Sequence, residues 1–596
     1  MALRRALQFR AEDLPTPDRP PRRPLDNDRV AIPEVEVHTP EYSLDTYERN
    51  IPPSATRTKD LFRLWSRRLQ PLDVVYLKEM LVESRPLDGR YGSICSGMDI
   101  GATVMKQFWD WARFHWEIDS ARFKHTFACE QNPMKREFLL RTHPDIQHMF
   151  KDATDLQHDS VYDTKYHREI MMPLCTVLTA GFPCQDCSVL NPSASSSSNR
   201  SCVATGSLRT GSVLQAIVQY LKNQGRAGPT FCFFENVLGL KHSSTDADGH
   251  KTSNLDHLGH LVDKETDRLL HVWHLDPRMF GIPQSRPRLW MTAIPRRMFT
   301  GLIPEPEVHK LLNSIMNTLL GLKENPLCDY LVKPRSSCLK DFHSEFVRKL
   351  QVIRTRRARR RAQEQARDSE DMQNTNNDPE GQQRRQSLGG SSYRSSRAGS
   401  GHFSRCSSAT RLLAHEKVVT KDWLKTFRRA ARTRPYLKCM TARKRRTLFK
   451  LGVHQFPSGH LKVVDISQDK FAHATDHSPC ITPKGERYLT SECRYMVPLE
   501  SLRLQGKWFS PDDPALAEVP QTLVADLAGN AFEASCFAAT FWATMVFHGR
   551  LRMLQRPPGI PPEPHSSATG QDRQYHTPEF DSQVLLEYSD MEDEQH

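Results

Sequence analysis

Between Tyr91 and Ile294, six short apolar runs of strand length are separated by longer helical or looping stretches: YGSIC, HTFACE, CTVLTAG, TFCFFEN, LLHVWHL and PRLWMTAI. Runs this apolar suit strands covered on both faces, and the lengths between them suit crossovers rather than tight hairpins. The pattern predicts an α/β domain with a mostly parallel sheet. In such sheets ligands bind beyond the carboxyl ends of the strands, so the residues that follow each run become the candidates for chemistry.

The rest of the chain reads differently. At 596 residues it exceeds one packed core and predicts two or three folded units with unstructured connections. Residues 1 to about 85 are rich in Pro and charge (PTPDRPPRRPLDNDR), with an amphipathic helical pattern from Lys59 to Leu81 interrupted at Pro71. That composition predicts an N-terminal extension with modest structure. Arg348 to Arg367 holds nine basic residues and one acid, and Ser369 to Ser408 has hardly any large apolar side chain, which predicts disorder from about 352 to 412. A second basic block, Arg428 to Lys450, is interleaved with Tyr436, Leu437, Met440, Leu448 and Phe449, so it could fold and bind phosphates. From Glu579 on there are seven acids and no Lys or Arg, read as a flexible acidic tail.

Charge and cysteine content bound the partners. Lys and Arg outnumber Asp and Glu by 83 to 70, a formal +13 that points to a polyanion such as nucleic acid. RTRRARRR (354 to 361) and ARKRR (442 to 446) also resemble nuclear-import patches. No apolar run approaches the roughly 20 residues that span a bilayer, and the first residues lack a secretory h-region. Fourteen cysteines without framework spacing suit free thiols in a reducing compartment.

The strand ends carry the chemistry. After the first run, Ser96-Gly97-Met98-Asp99 makes a tight turn that lets backbone approach a ligand, and the second run ends in Glu130, an acid suited to ribose hydroxyls. Asp152 follows in KDATD, where it could accept from an adenine amino group. Cys184 sits in the proline-fixed turn GFPCQDCS, a position for a nucleophile, with Arg286 and Arg288 available to lower its pKa. The CxxC of Cys184 and Cys187 also admits a redox pair or half a zinc site, but neither a thioredoxin-like unit nor a second ligand pair accompanies it. Glu235 emerges from the apolar TFCFFE run, surroundings that raise a carboxyl's pKa towards use as a proton donor. Gln284, Arg286 and Arg288 alternate before the last run and would share one face if extended.

Taken in order, these motifs resemble the C5 cytosine-specific DNA methyltransferase family. GFPCQDCS is similar to its nucleophile loop, FFENV to its ENV motif, PQSRPR to its QxRxR motif, and GSLRTG (206 to 211) to the segment after the nucleophile. TPKGERYLT with RYMVPLESLRLQGKWF, and LAGNAF (527 to 532), resemble its last two motifs. The likeness spans about residues 90 to 548, with a weakly matching stretch at about 301 to 475 that resembles the variable target-recognition region. It departs in ICSGMDIGA, with Cys95 where an aromatic is expected and Asp99 where a glycine is common.

The resemblance implies a Rossmann-like class I methyltransferase domain with a smaller target-recognition domain across a DNA cleft. It implies a catalytic domain at 86 to 300, completed at 476 to 556 where Ala534 to Phe547 returns as a helix beside the first motif, and a tail at 557 to 596. S-adenosylmethionine would sit at Gly97, Met98, Glu130, Asp152 and Asn530, and no metal is implied. Cys184, Glu235, Arg286 and Arg288 would surround a flipped cytosine of double-stranded DNA, with Cys184 attacking C6 and Glu235 serving N3. The expectation is thus a nuclear DNA cytosine-5 methyltransferase, with protein partners reached through its tails. The alternatives are a tRNA cytosine-5 methyltransferase, against which the long basic region and the missing CFT-type signature argue, and an inactive DNA-binding paralogue, suggested by the altered first motif. Oligomeric state, sequence context and maintenance or de novo activity are not readable from the residues.

Overall fold

The computed structural model describes residues 58–83, 89–376 and 461–555 with Lys444 and Leu448, apart from gaps at 119–122, 192, 226–227, 230, 246–250, 334–335, 468–473, 491, 493 and 517. All six apolar runs become strands of one seven-stranded sheet: β1 (Arg90–Ile94), β2 (Lys124–Cys129), β3 (His148–Phe150), β4 (Val177–Ala180), β5 (Phe231–Val237), β6 (Arg268–Leu275) and β7 (Arg288–Pro295). The sequence pattern misses only β3, whose three residues are too short to show a period. The order across the sheet is β6, β7, β5, β4, β1, β2, β3. Strands β1 to β5 run parallel, and β7 lies antiparallel between β5 and β6. The order reverses between β1 and β4, which opens a crevice at their carboxyl ends. This is the expected Rossmann-like α/β fold.

The principal helices are α1 (Thr58–Ser66), α2 (Pro71–Glu83), α3 (Ile100–Trp116), α4 (Pro133–Thr142), α5 (Leu208–Gln224), α6 (Asn254–Thr266), α7 (Glu305–Leu319), α8 (Ser337–Asn376), α9 (Pro498–Leu504), α10 (Gln521–Asn530) and α11 (Ala534–Gln555). Helix α11 is apolar all round and buried from Ala534 to Gly549, as a central helix must be. It packs on α1, α2, α3, α7 and the sheet, so the last motifs return beside the helix that follows the first.

Four expectations change. Residues 58–83 are integral to the catalytic core, not an extension of modest structure: Phe62 and Trp65 of α1 are fully buried in an aromatic cluster with Phe108 and Trp542. Each such burial stabilises by about 1.5–3 kcal/mol, enough to order a helix the sequence alone leaves marginal. Arg550 ties α11 to Asp73 of α2 through two bonds of 2.7 and 2.8 Å. Helix α7, inside the expected recognition region, buries Val308, Leu312, Ile315 and Met316 in the same core.

The expected disorder from about 352 meets α8 instead, which runs to Asn376. Its Arg, Ala and Gln residues are strong helix formers, and Arg360 pairs with Glu364 one turn on. Every described side chain from Gln351 to Ser369 is exposed. Finally, the expected boundary at 475 cuts through a four-stranded antiparallel sheet of β8 (Val463–Asp465), β9 (Ala474–Thr475), β10 (Arg487–Leu489) and β11 (Arg494–Tyr495). Val463 and Leu489 join it to the main core. Residues 1–57, 377–412, most of the second basic block and the acidic tail lie outside the described residues.

Candidate active site

At the crevice, the loop after β1 packs three left-handed residues into five: Cys95 (φ 57°), Gly97 (φ 57°) and Asp99 (φ 51°). Aspartate is among the few residues that tolerate this region, so it keeps the turn that a glycine would give. Its side chain sits in a buried polar cluster at the wall of the crevice. Asp99 accepts from Tyr91 Oη at 2.7 Å, Ser93 Oγ at 2.6 Å and the Ala102 amide at 3.0 Å, and lies 3.1 Å from His125 Nε2. Burial pushes its carboxyl up, but His125, His143 and the Ser93 hydroxyl outweigh it and hold the group well below the usual carboxylate range. The departure from the family pattern at this position is therefore structural. Cys95 lines the crevice as a neutral thiol, pushed up to about 12 by burial and by Glu130.

A cavity here is lined by Ser93, Cys95, Ser96, Thr179, Asn530 and Phe532 among others. Of the expected cofactor residues Asn530 lines it, while Gly97, Met98, Glu130 and Asp152 are not part of its wall. Glu130 is oriented by the Gly97 and Asn132 amides, both at 2.9 Å. Asp152 caps the turn after β3 by accepting from the Thr154 amide at 3.0 Å and hydroxyl at 2.9 Å. Burial raises the Asp152 carboxyl, yet these donors, Gln131 and Arg209 bring it below its ordinary value. Asn530 ends α10, its amide bonded to Asp526. Met98, in contrast, is fully buried in the core, so only its backbone can face a ligand.

The loop Gly181-Phe182-Pro183-Cys184 follows β4 and is fastened from two sides. Asn236, fully buried at the end of β5, donates to Phe182 O at 3.2 Å. Thr210 donates its hydroxyl to Pro183 O at 2.7 Å and its amide to Asp186 at 2.9 Å, which explains the GSLRTG segment downstream. Cys187 points into a buried cluster with Cys202 (Sγ to Sγ 4.0 Å) and Asn254. That geometry engages Cys187 and leaves Cys184 outside the cluster, and no disulfide joins the described cysteines.

Glu235 pairs with Trp290 and Arg288 with Val237 in the β5/β7 register, so Glu235 and Arg288 are diagonal neighbours on one face. Arg288 Nε lies 3.2 Å from Glu235 Oε1. The glutamate thus has a cation partner rather than purely apolar surroundings. The two arginines do lower the Cys184 thiol as expected, but burial and Glu235 outweigh them and its pKa stands above the ordinary value.

Arg286 is not a base-facing residue. It is buried, and its guanidinium donates to Ile481 O and Ala531 O at 2.8 Å and to Gly529 O at 3.3 Å. Alternation along QSRPR places it as expected, but the last motifs fold over it and engage both of its terminal nitrogens. A residue the motifs do not flag is Cys480, whose sulfur accepts from Arg288 Nη2 at 3.4 Å. Only the tertiary fold brings it there, from 192 residues away. Among the described residues one grouping, His125, His143 and Asp145, has metal-ligand reach. The Lys507 ammonium lies 3.4 Å from His143 Nε2, which disfavours a cation there.

The structure resembles the Dnmt2 methyltransferase of S. pombe (13% identity, 76% of this chain and 97% of that chain covered, TM-score 0.38). It also resembles the methyltransferase EhMeth of Entamoeba histolytica (12% identity, 76% and 97% covered, TM-score 0.34). A search of curated proteins finds no match. No helix among the described residues is long and apolar enough to cross a membrane. The family profile of the C-5 cytosine-specific DNA methylases matches residues 111–532, more than half of the chain. With that match laid over the doubly wound sheet and its strand-end residues, the chain belongs to the C-5 cytosine-specific DNA methylase family and is a cytosine-5 methyltransferase.

Proposed function

We propose that this protein methylates C5 of cytosine in duplex DNA, with S-adenosylmethionine as donor and Cys184 as covalent nucleophile. The observation that carries the reading is the meeting of Cys184, Glu235 and Arg288 at one sheet edge, each delivered by a different strand end, beside the β1/β4 crevice. The donor set at the crevice fits S-adenosylmethionine: Glu130 and Asp152 supply carboxylates for hydroxyl and amine groups, with Ser96 and the Asn530 amide nearby. When bound, that molecule supplies the methyl group as a sulfonium.

The chain's own residues do the rest. Cys184, as thiolate, adds to C6 of the extruded base, and Glu235 stabilises N3 by proton donation as electron density moves into the ring. C5 becomes nucleophilic, takes the methyl group, loses its proton, and the thiol is eliminated. Arg288 holds Glu235 in place and balances developing charge. The exposed arginines of α8 suit the phosphate contacts that offset the few kcal/mol of base extrusion. The basic blocks extend the proposal to residence in the nucleus.

The test is incubation with duplex DNA containing 5-fluorocytosine and S-adenosylmethionine, then denaturing electrophoresis, with Cys184→Ala as control. Fluorine at C5 blocks proton loss, so a donor-dependent, denaturant-stable adduct absent from the variant is expected. Methylation of tRNA without reaction on DNA would move the substrate assignment to RNA. DNA binding with neither adduct nor methyl transfer would make the protein an inactive paralogue.

A further inference from the structure

The Arg288 guanidinium is held on three sides. Nε faces Glu235 Oε1 at 3.2 Å, Nη1 donates to Pro287 O at 2.8 Å, and Nη2 donates to Cys480 Sγ at 3.4 Å. The first two partners come from the β5/β7 pair and its lead-in. The third arrives on a distant segment that is fixed independently of the sulfur: Ser478 N donates to Pro283 O at 2.7 Å, and Ser285 N donates to Ser478 O at 2.8 Å. On the other side of Cys480, Ile481 O accepts from Arg286 Nη1 at 2.8 Å. With the chain pinned at 478 and 481, the sulfur has little freedom to be anywhere else.

What surrounds that sulfur is cationic. Arg286 Nη1 lies 3.9 Å from Cys480 Sγ, and Arg487 adds a third guanidinium to its field. A neutral thiol is a weak acceptor for such donors, whereas a thiolate is a strong one. Burial raises the Cys480 thiol, but Arg288, Arg286 and Arg487 outweigh it and the group stands below its ordinary value, opposite to Cys184. Two cysteines thus share the field of Arg288, and it lowers the thiol of Cys480 below its ordinary value while that of Cys184 stays above.

We propose that Cys480 is a positioning residue for the methyl-transfer reaction: its sulfur fixes the Arg288 guanidinium so that Nε stays on Glu235, and its charge shields Cys184 from that guanidinium. The activity arm of this proposal rests on the function proposed above; the electrostatic arm does not. Removing the sulfur frees one edge of Arg288 and withdraws a counter-charge, so the remaining field falls more heavily on Cys184. Glu235 then shares its partner less well and the proton-donating geometry loosens.

The test uses the full chain with Cys480→Ala, Cys480→Ser and Cys480→Asp, each checked for folding by thermal melting. The first readout needs no nucleic acid: alkylation of Cys184 by iodoacetamide at about pH 7.5, followed by peptide mass spectrometry, reports the thiolate fraction. It is expected to rise roughly threefold or more in Cys480→Ala and Cys480→Ser. It should return towards wild type in Cys480→Asp, whose carboxylate restores the charge. Serine keeps a polar group at the site and leaves a smaller void than alanine, so a rise of equal size in both does not follow the size of the cavity. The second readout is single-turnover methyl transfer to duplex DNA, expected to fall about tenfold or more in the Ala and Ser variants with half-saturation by S-adenosylmethionine unchanged, and to recover with Asp. An unchanged Cys184 alkylation rate in a folded Ala or Ser variant would overturn the proposal. So would an Asp variant no better than Ala in both readouts. Failure of the wild type to methylate DNA sinks the proposed function instead, and the alkylation arm still judges the coupling of Cys480 to Arg288.

Discussion

Glu235 and Arg288 face each other diagonally across the antiparallel register of β5 and β7, with Oε1 and Nε 3.2 Å apart and side chains only 13% and 16% exposed. Because Arg288 also counters the burial of Cys184, its loss removes two things at once. Arg288→Ala is expected to slow iodoacetamide alkylation of Cys184 at neutral pH severalfold and to lower the methyl-transfer rate by about 100-fold. Melting should fall as well, because Glu235 is left buried without its cation partner. Paired alkylation and single-turnover measurements check it.

Arg286 predicts a loss of stability first. Its guanidinium satisfies the carbonyls of Ile481, Gly529 and Ala531, so Arg286→Ala leaves several buried acceptors unpaired. The expected loss is about 3 kcal/mol or more of unfolding free energy in urea, with activity lost in step. Arg286→Ala as stable as wild type would refute its role as a clamp.

Asp99→Gly would restore the family's residue and is nevertheless expected to destabilise. Tyr91, Ser93 and His125 would lose their shared partner, at a cost of about 2–4 kcal/mol. The sign with pH follows from the direction of the shift. Asp99 is held below the usual carboxylate range when folded, so its stabilisation is present above about pH 4 and lost as pH falls through the folded value. Urea unfolding of wild type and Asp99→Asn between neutral and acid pH should show the difference between them shrinking on acidification.

Lys507 gives a signal at the alkaline end. It is buried, donates to Thr103 Oγ1 at 2.7 Å, and burial lowers its pKa from 10.5 to about 8. Between those two values the unfolded chain binds more protons than the folded one, so this residue makes stability rise with pH across that window. Lys507→Met should remove that rise, measured as the difference in unfolding free energy from wild type across the same range.

Much of the fold was legible because short, strongly apolar runs leave little choice of structure, and six of the seven strands of the main sheet follow from them. The positions of Cys184, Glu235 and Arg288 were legible for the same reason: each sits within a residue or a short turn of a strand end. The N-terminal helices were underestimated because Phe62 and Trp65 are stabilised by partners such as Trp542, hundreds of residues away. Arg286 was misassigned because alternation reports which face a side chain occupies but not what later covers it. Cys480 carried no local signal at all; it reaches Arg288 through a parallel bridge between two loops, at Gln284 and Ser478, joined by no pattern in the chain. Helix α8 shows the converse error, since low apolar content marks a stretch without a core but does not forbid a solvated helix.

The clamp of Arg286 on Ala531 also sets a timetable for synthesis. Its partners at Ile481, Gly529 and Ala531 are translated 195 to 245 residues after it. The same holds for Arg288, whose sulfur partner Cys480 lies 192 residues further along the chain. A chain cut short before Gly529 therefore lacks the carbonyls of Gly529 and Ala531 that hold Arg286.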